Sequence, residues 1–174
     1  MRVRLGLIAG AACVAVMPAM AQHSKPNDAQ IAHIAYTAGA LDVEAGKQAL
    51  AITRNPEIRE FAEQMVRDHS AVNEQALALV KKLKVTPEDN ATSKSLKEGG
   101  EKNVANLKTL KGKAFDKAYI DHEVAYHQQV LDAVDKVLIP NAKNEELKAL
   151  LVKVRPAFVA HLEHAKHVQE MVGK

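Results

Sequence analysis

Three histidines stand where apolar residues are due. Ile58, Ala62, Met65, Val72, Ala76, Leu79 and Leu83 recur at spacings of three and four, and the gap in that series is filled by His69. A second series, Ile120, Val124, Leu131, Val134 and Leu138, is completed by His127. A third, Leu147, Leu151, Val154, Phe158, Ala165, Val168 and Val172, is completed by His161. Such spacing puts every member on one face of a helix, so three helices each turn an imidazole toward the interior. Imidazoles joined by one carboxylate suit zinc, copper or iron, whereas calcium and magnesium ask for a cage of oxygens. The carboxylate expected here is Glu44, beside Leu41 and Gln48 at the edge of a seam running Ile31, Ala38, Ala45 and Ile52, with Asp42 flanking the same seam. The candidate site is therefore Glu44, His69, His127 and His161, holding a single transition-metal ion. Asp68, next to His69, and Glu123, one turn before His127, are expected to orient the imidazoles as hydrogen-bond acceptors.

The competing reading makes these histidines part of a satisfied core, each bonded to a neighbouring acid or to Tyr36, Tyr119 or Tyr126. An unpaired buried imidazole costs roughly 1–3 kcal/mol, so some partner must exist on either reading. Without metal, the polar cluster would set helix register in a cell-envelope structural, stress or interaction module. A third reading has a redox metal at the cluster acting on peroxide or oxygen. With apolar seam neighbours, His161 is expected to titrate below the ordinary value near 6.5. Other motifs carry less chemistry. In His161-x-x-His164-x-x-His167, successive members rotate by about 60° on a helix, which turns His167 toward solvent. Met65 reads as core filler. Ser24, Ser70, Ser93 and Ser95 have no histidine and acid in series, and no glycine-rich phosphate loop is present, so no catalytic residue is assigned.

Positioning three imidazoles requires long helices, and the punctuation supplies them. Pro26, Pro56, Pro87 and Pro140 divide the chain into segments of helical periodicity. The first helix is expected from Asn27 or Asp28 to near Arg54. Asn55-Pro56 then reads as an N-cap with a first-turn proline. A polar helix is expected over Thr92 to Lys111, with Gly112 as its C-cap. A fourth follows, and Asn144 caps the last, which Pro156 should kink without ending. Four long helices make an all-α four-helix bundle, and the polar segment serves as an additional crossover helix in up-down-down-up order. In that order His69 and His127 both lie about four turns into their helices, and His161 approaches from the opposite end.

Composition narrows the remaining classes. Only 3% of the 174 residues are aromatic and β-branched residues never alternate in runs, which disfavours a sheet. Arg2 and Arg4, the apolar stretch Leu5 to Met17, Pro18 and the small-x-small run Ala19-Met20-Ala21 form a signal-peptide pattern over residues 1–21, leaving 22–174 as one helical domain. The apolar stretch falls short of the ~20 residues a spanning helix needs. Ala11-Ala12 before Cys13 also permits a lipoprotein reading with outer-membrane association, but the apolar run continues past it to Met17. Ordinary cleavage leaves no cysteine and lowers the formal charge from +3 to +1, against a nucleic-acid partner. A periplasmic or secreted protein is the expectation, with protein partner and homo-oligomerisation left open.

Four stretches carry a family resemblance: Leu41-Asp-Val-Glu-Ala-Gly46; Phe61-Ala-Glu-Gln-Met-Val-Arg-Asp-His69; Gly112-Lys-Ala-Phe-Asp-Lys-Ala-Tyr119 with His127; and Arg155-Pro-Ala-Phe-Val-Ala-His161. They resemble the secreted bacterial family catalogued as domain of unknown function 4142, whose members are classed as ferritin-like bundles and described as outer-membrane or periplasmic proteins. The resemblance implies fold and location and no defined activity. Ferritin-like di-iron proteins use Glu-x-x-His on two helices. No glutamate here is followed by histidine three positions on, which favours a mononuclear site over a di-iron one.

Overall fold

A computed structural model describes residues 25–173. The leader expected over residues 1–21, with Cys13, lies outside the described residues. Among those described, the chain is all-helical: α1 (Asp28–Ile52), α2 (Pro56–Leu83), α3 (Ala91–Lys108), α4 (Gly112–Ala133), a π-helical turn (Val134–Leu138), a short α5 (Ile139–Asn141) and α6 (Glu145–Val172). No described helix is long and apolar enough to cross a membrane.

Side-chain caps start the long helices. Asn27 closes a reciprocal capping box with Gln30, while Asn55 accepts from the amides of Glu57 and Ile58 with Pro56 in the first turn. Asn144 does the same for Glu146 and Leu147 at the start of α6. Each satisfies amides that the helix itself leaves unpaired. Pro156 is carried inside α6. The carbonyl it frees belongs to Val152, which is exposed, so solvent can satisfy that group.

Two local expectations are corrected. Gly112 does not cap α3; Thr109 does, and Gly112 takes a left-handed φ of 53° at the first position of α4. The seam of α4 does not run on in α-helical register either, because the Ile139 amide donates to the Val134 carbonyl five residues back. Pro140 has no N–H to return to this turn, which removes one of the α-register bonds that would oppose the shift.

Helix α1 packs along α2, α2 against α6, α6 against α4, and α4 against α1, while α3 lies across α1 and α4. Hydrogen bonds tie the ends together. Asp28 accepts from the amides of Lys143 and Asn144 at 2.8 and 3.0 Å, joining the starts of α1 and α6. Glu88, just after α2, donates its amide to the Ala29 carbonyl. At the far end Thr53 donates to Asp116, joining the end of α1 to the start of α4. Inside, the apolar side chains fall into two clusters. One gathers Ile31, Ile34, Leu131, Val134, Leu151 and Phe158 around the starts of α1 and α6. The other gathers Ala49, Ile58, Phe61, Met65, Tyr119 and Val168 around the opposite end. Each of α1, α2, α4 and α6 contributes residues to both ends, and between them lie the buried polar residues Asp42, His69, Glu123, His127 and His161, while buried Asp116 sits at the far end with Thr53.

Candidate metal centre

The three imidazoles meet. Ring centroids of His69, His127 and His161 stand 5.2, 5.6 and 5.6 Å apart, nearly an equilateral triangle. One ligating nitrogen from each lies within 4.8 Å of the others, and all three residues are at most 3% exposed. Three imidazoles bound at ~2.0–2.1 Å in tetrahedral directions would have centroids about 5.2 Å apart. The observed centroids stand at or slightly beyond that spacing.

Aromatic neighbours fix the rings. Phe158 stacks on His69 at 5.3 Å with planes 7° apart, and Phe61 meets His127 edge-on. Hydrogen bonds fix the tautomers. Nδ1 of His127 lies 2.9 Å from the Glu123 carbonyl oxygen, which can only accept, so this nitrogen carries the proton and Nε2 keeps its lone pair. Nε2 of His161 lies 3.0 Å from the Asp68 carboxylate, so Nδ1 is the free nitrogen there. Asp68 thus orients an imidazole, but that of His161 across the helix interface and not that of its neighbour His69. Consecutive helical residues point about 100° apart, which separates Asp68 from His69.

The carboxylate beside the cluster is Asp42, not Glu44. Asp42 is 2% exposed, and its Oδ2 lies 3.0 Å from Nε2 of His69 and 3.4 Å from Nε2 of His127. Glu44 is exposed to solvent and is not brought to the histidines. A signal for Asp42 was present in the sequence: the buried face of α1 is Ile31, Ile34, Ala38, Asp42, Ala45 and Ala49, an unbroken series of threes and fours. Small residues dominate that helix, so apolarity alone marks its inner face poorly. Glu123, expected only as an orienting group, is itself 1% exposed, and with Asp42 and His127 it forms a second set of donor atoms within 4.8 Å. Of the peripheral histidines, His167 is exposed as expected, and half-buried His164 places Nδ1 2.8 Å from Oε1 of Gln64.

Electrostatics follow from burial. Desolvation pushes the Asp42 carboxyl up, but His69 and His127 outweigh it and hold the group at about 2. Glu123 goes the other way, raised well above the usual carboxyl range by burial and then by the Asp42 charge. Burial lowers His127. It also lowers His161 to about 4, overcoming the opposing Asp68 bond. Both rings are accordingly neutral at physiological pH, the state in which imidazole binds metal.

Despite these contacts, several buried atoms have no hydrogen-bond partner. In the polar layer they are Nδ1 and Nε2 of His69, Nε2 of His127, Nδ1 of His161, both Asp42 oxygens and Oε2 of Glu123, and outside it His33, Gln48, Asn73 and Tyr119 each contribute one more. The close approaches of Asp42 to His69 and His127 fail as directed hydrogen bonds. Unsatisfied imidazole nitrogens beside a carboxylate are donors of the kind a transition-metal ion takes.

These features define a helical protein whose interior carries a histidine-rich polar layer suited to one metal ion. The chain belongs to the family described as domain of unknown function (DUF4142), whose model matches residues 14–168. A solved structure described as CopM in the Cu(II)-bound form shares the fold, with a TM-score of 0.63 and 13% sequence identity over 84% of this chain and 97% of that one. No curated protein matches the chain significantly.

Proposed function

We infer that this is an envelope protein that binds one transition-metal ion in its interior, through His69, His127 and His161 with the Asp42 carboxylate beside them. The observation that carries the reading is the convergence of buried, unpartnered lone pairs from α1, α2, α4 and α6 on one layer. Left unmet, each costs roughly 1–3 kcal/mol, and an ion meets several at once. Three imidazoles suit copper or zinc, and copper is the first ion to try because the similar fold named above is described with Cu(II) bound. When bound, the ion supplies a Lewis-acidic or redox centre. The chain's own residues hold and orient it, with Asp68 bracing His161 and the Glu123 carbonyl bracing His127.

The end contacts support the ferritin-like, up-down-down-up arrangement, with α3 as the crossover. The starts of α1 and α6 meet at one end, and the end of α1 meets the start of α4 at the other. Periplasmic residence rests on the leader pattern over residues 1–21.

A metal-free module is the second reading, and one observation favours it: Oδ2 of Asp42 already faces Nε2 of His69 at 3.0 Å and Nε2 of His127 at 3.4 Å, where an ion would otherwise sit. Under that reading the polar layer sets register, His→Leu changes there are neutral or stabilising, and the melting temperature ignores chelator. Uptake decides between them. His127→Leu should abolish copper and zinc binding by protein purified without a histidine tag, and EDTA should lower the melting temperature of the parent as purified. Equal metal content in variant and parent, with a melting temperature indifferent to EDTA, would leave the second reading standing.

A further inference from the structure

The string His161-x-x-His164-x-x-His167 runs from the interior to the surface: His161 is buried, His164 half-buried and His167 exposed. Each step of three residues climbs ~4.5 Å along α6 and turns by about 60°. Helix α2 answers two of the three with an oxygen acceptor. Oδ2 of Asp68 lies 3.0 Å from Nε2 of His161, and Oε1 of Gln64 lies 2.8 Å from Nδ1 of His164. Gln64 and Asp68 are one turn apart, so the two pairs form consecutive rungs between antiparallel helices. Asp68 stands at the boundary. Its side chain is 29% exposed, its Oδ1 accepts from surface Arg67 at 2.8 Å, and its Oδ2 accepts from an imidazole that is 2% exposed. Nδ1 of that imidazole has no partner. One ring thus touches a solvent-accessible carboxylate through one nitrogen and offers the metal centre the other.

Other approaches offer an ion less. A cavity of about 310 Å³ lies in the apolar cluster around the starts of α1 and α6 and reaches Asp42, His69 and His127, but Val72, Val80, Val130 and Leu151 are among its walls. An ion crossing it would lose its water before meeting a ligand. Between α1 and α2, Gly46 brings the helices close enough that an added Cβ would meet Val66 and the Ala62 carbonyl. On the side of α1 that α3 covers, Leu41 fills the space over Gly100.

We propose that the transition-metal ion enters and leaves the centre between α2 and α6, with the Asp68 carboxylate as its first ligand and His161 as the imidazole that passes it inward. The proposal rests on the metal reading above. The hydrogen bond from His161 Nε2 to Asp68 holds the ring in place while the way is shut. An ion arriving from solvent takes the Asp68 oxygen in place of that bond and frees the ring to turn; the proton stays on Nε2, and Nδ1 becomes the ligand. Once the ion lies among the three histidines, Asp68 recovers its bond to His161. His164 donates Nδ1–H to Gln64 and keeps a lone pair on Nε2, which makes it a secondary contact one rung further out. A residue on the route changes entry and exit by the same factor and leaves affinity alone, because both directions cross one barrier. A residue that only braces His161 changes affinity, mainly through release.

The test uses mature protein purified without a histidine tag, stripped of metal and mixed rapidly with Cu(II). Quenching of tyrosine emission reports loading, since the Tyr126 and His127 ring centroids are 6.1 Å apart. Transfer of copper to a chelator reports release, and equilibrium competition with a chelator of known affinity gives Kd. Asp68→Asn keeps a carbonyl oxygen for His161 and loses the charged ligand. It should slow loading at least about tenfold, slow release by the same factor and leave Kd unchanged. Asp68→Glu, which keeps a carboxylate, should recover most of the loading rate, and His164→Gln should slow both directions by less than Asp68→Asn does. Asp132→Asn removes an equal charge from an exposed site elsewhere and should match the parent. A parent that takes up no copper sinks the metal reading and this proposal together. Copper uptake that is as fast in Asp68→Asn as in the parent, whether or not release quickens, sinks this proposal alone. Slowing by His122→Ala in place of Asp68→Asn would overturn it in favour of an entrance under α3.

Discussion

The two ends of the interior are built from different materials and are filled to different degrees. Beyond the histidine layer toward the start of α2, the core holds Phe61, Phe115 and Tyr119 with Ile58, Met65 and Ile120, every one fully buried. Phe61 meets Tyr119 edge-on and Phe115 stacks on it, so three rings lock that end. Toward the start of α1 the walls are Val, Leu and Ala, and Phe158 is the aromatic residue in that cluster. Val72, Leu79 and Val80 of α2 are only partly buried there, and Val72 and Val80 line the cavity. Native cores seldom leave voids larger than a water molecule. The contrast teaches that one end is closed by interlocked rings, of which Phe61 also meets His127, while the other leaves open space beside the histidine layer, where Phe158 alone stacks on His69.

The largest expected break in this comparison comes from the aromatic end. Phe61→Ala removes a ring touching Tyr119, His127 and His164, and it should cost about 3–5 kcal/mol in urea unfolding. Leu151→Ala, on the cavity wall, should fall at the low end of the Leu→Ala range, about 2 kcal/mol, because its side chain borders space that is already open. Equal losses would show that the two ends are packed alike.

The polar layer between them should report its burial through pH. His161 in metal-free protein should titrate at about 4 instead of the ordinary value near 6.5. Its folded pKa lies below the unfolded one, so between these values the unfolded state binds more protons. The stability tied to this residue is therefore complete above the unfolded pKa and declines as pH falls toward the folded one. Buried Glu123, raised well above its usual range, works in the opposite sense. The clean quantity is thus the pH dependence of the stability difference between parent and His161→Gln, alongside the His161 ring-proton titration by NMR. A midpoint at or above 6.5 would show that Asp68 outweighs desolvation.

A smaller test contrasts two glycines of α1. A Cβ at Gly46 would stand 2.9 Å from Cγ2 of Val66 and 3.1 Å from the Ala62 carbonyl oxygen, a backbone atom that cannot step aside. Gly46→Ala should therefore destabilise by about 1–3 kcal/mol. At Gly39 the added atom meets only the side-chain amide of Asn73, which borders the cavity and has room to move. There the gain in helix propensity, up to about 1 kcal/mol, should roughly cancel the cost. Matched melting temperatures for the two variants would argue against a looser α1–α2 contact on the cavity side.

How much of this could be read from residues alone depends on whether the signal is local. The caps Asn55 and Asn144, and the start of α1 near Asn27, were legible because capping is settled within one turn, and the three histidines because their seams were otherwise apolar. Asp42 was missed for Glu44 because α1 is lined with Ala and Gly, whose burial follows from close helix approach and not from hydrophobicity. The pairing of Asp68 with His161 joins residues 93 positions apart, beyond any local rule. The π-helical turn and the cavity are properties of how volumes fit once helices pack, and the series through Val134 and Leu138 gives the same apolar reading with or without them.

The central claim is that the buried lone pairs of His69, His127 and His161 exist to hold an ion. The most direct test is elemental analysis of tag-free protein isolated from its native source, followed by titration of the stripped protein with copper and zinc. The account predicts close to one transition-metal ion per chain as isolated, and one equivalent recovered on titration. Protein that arrives without metal and takes up neither ion would contradict it.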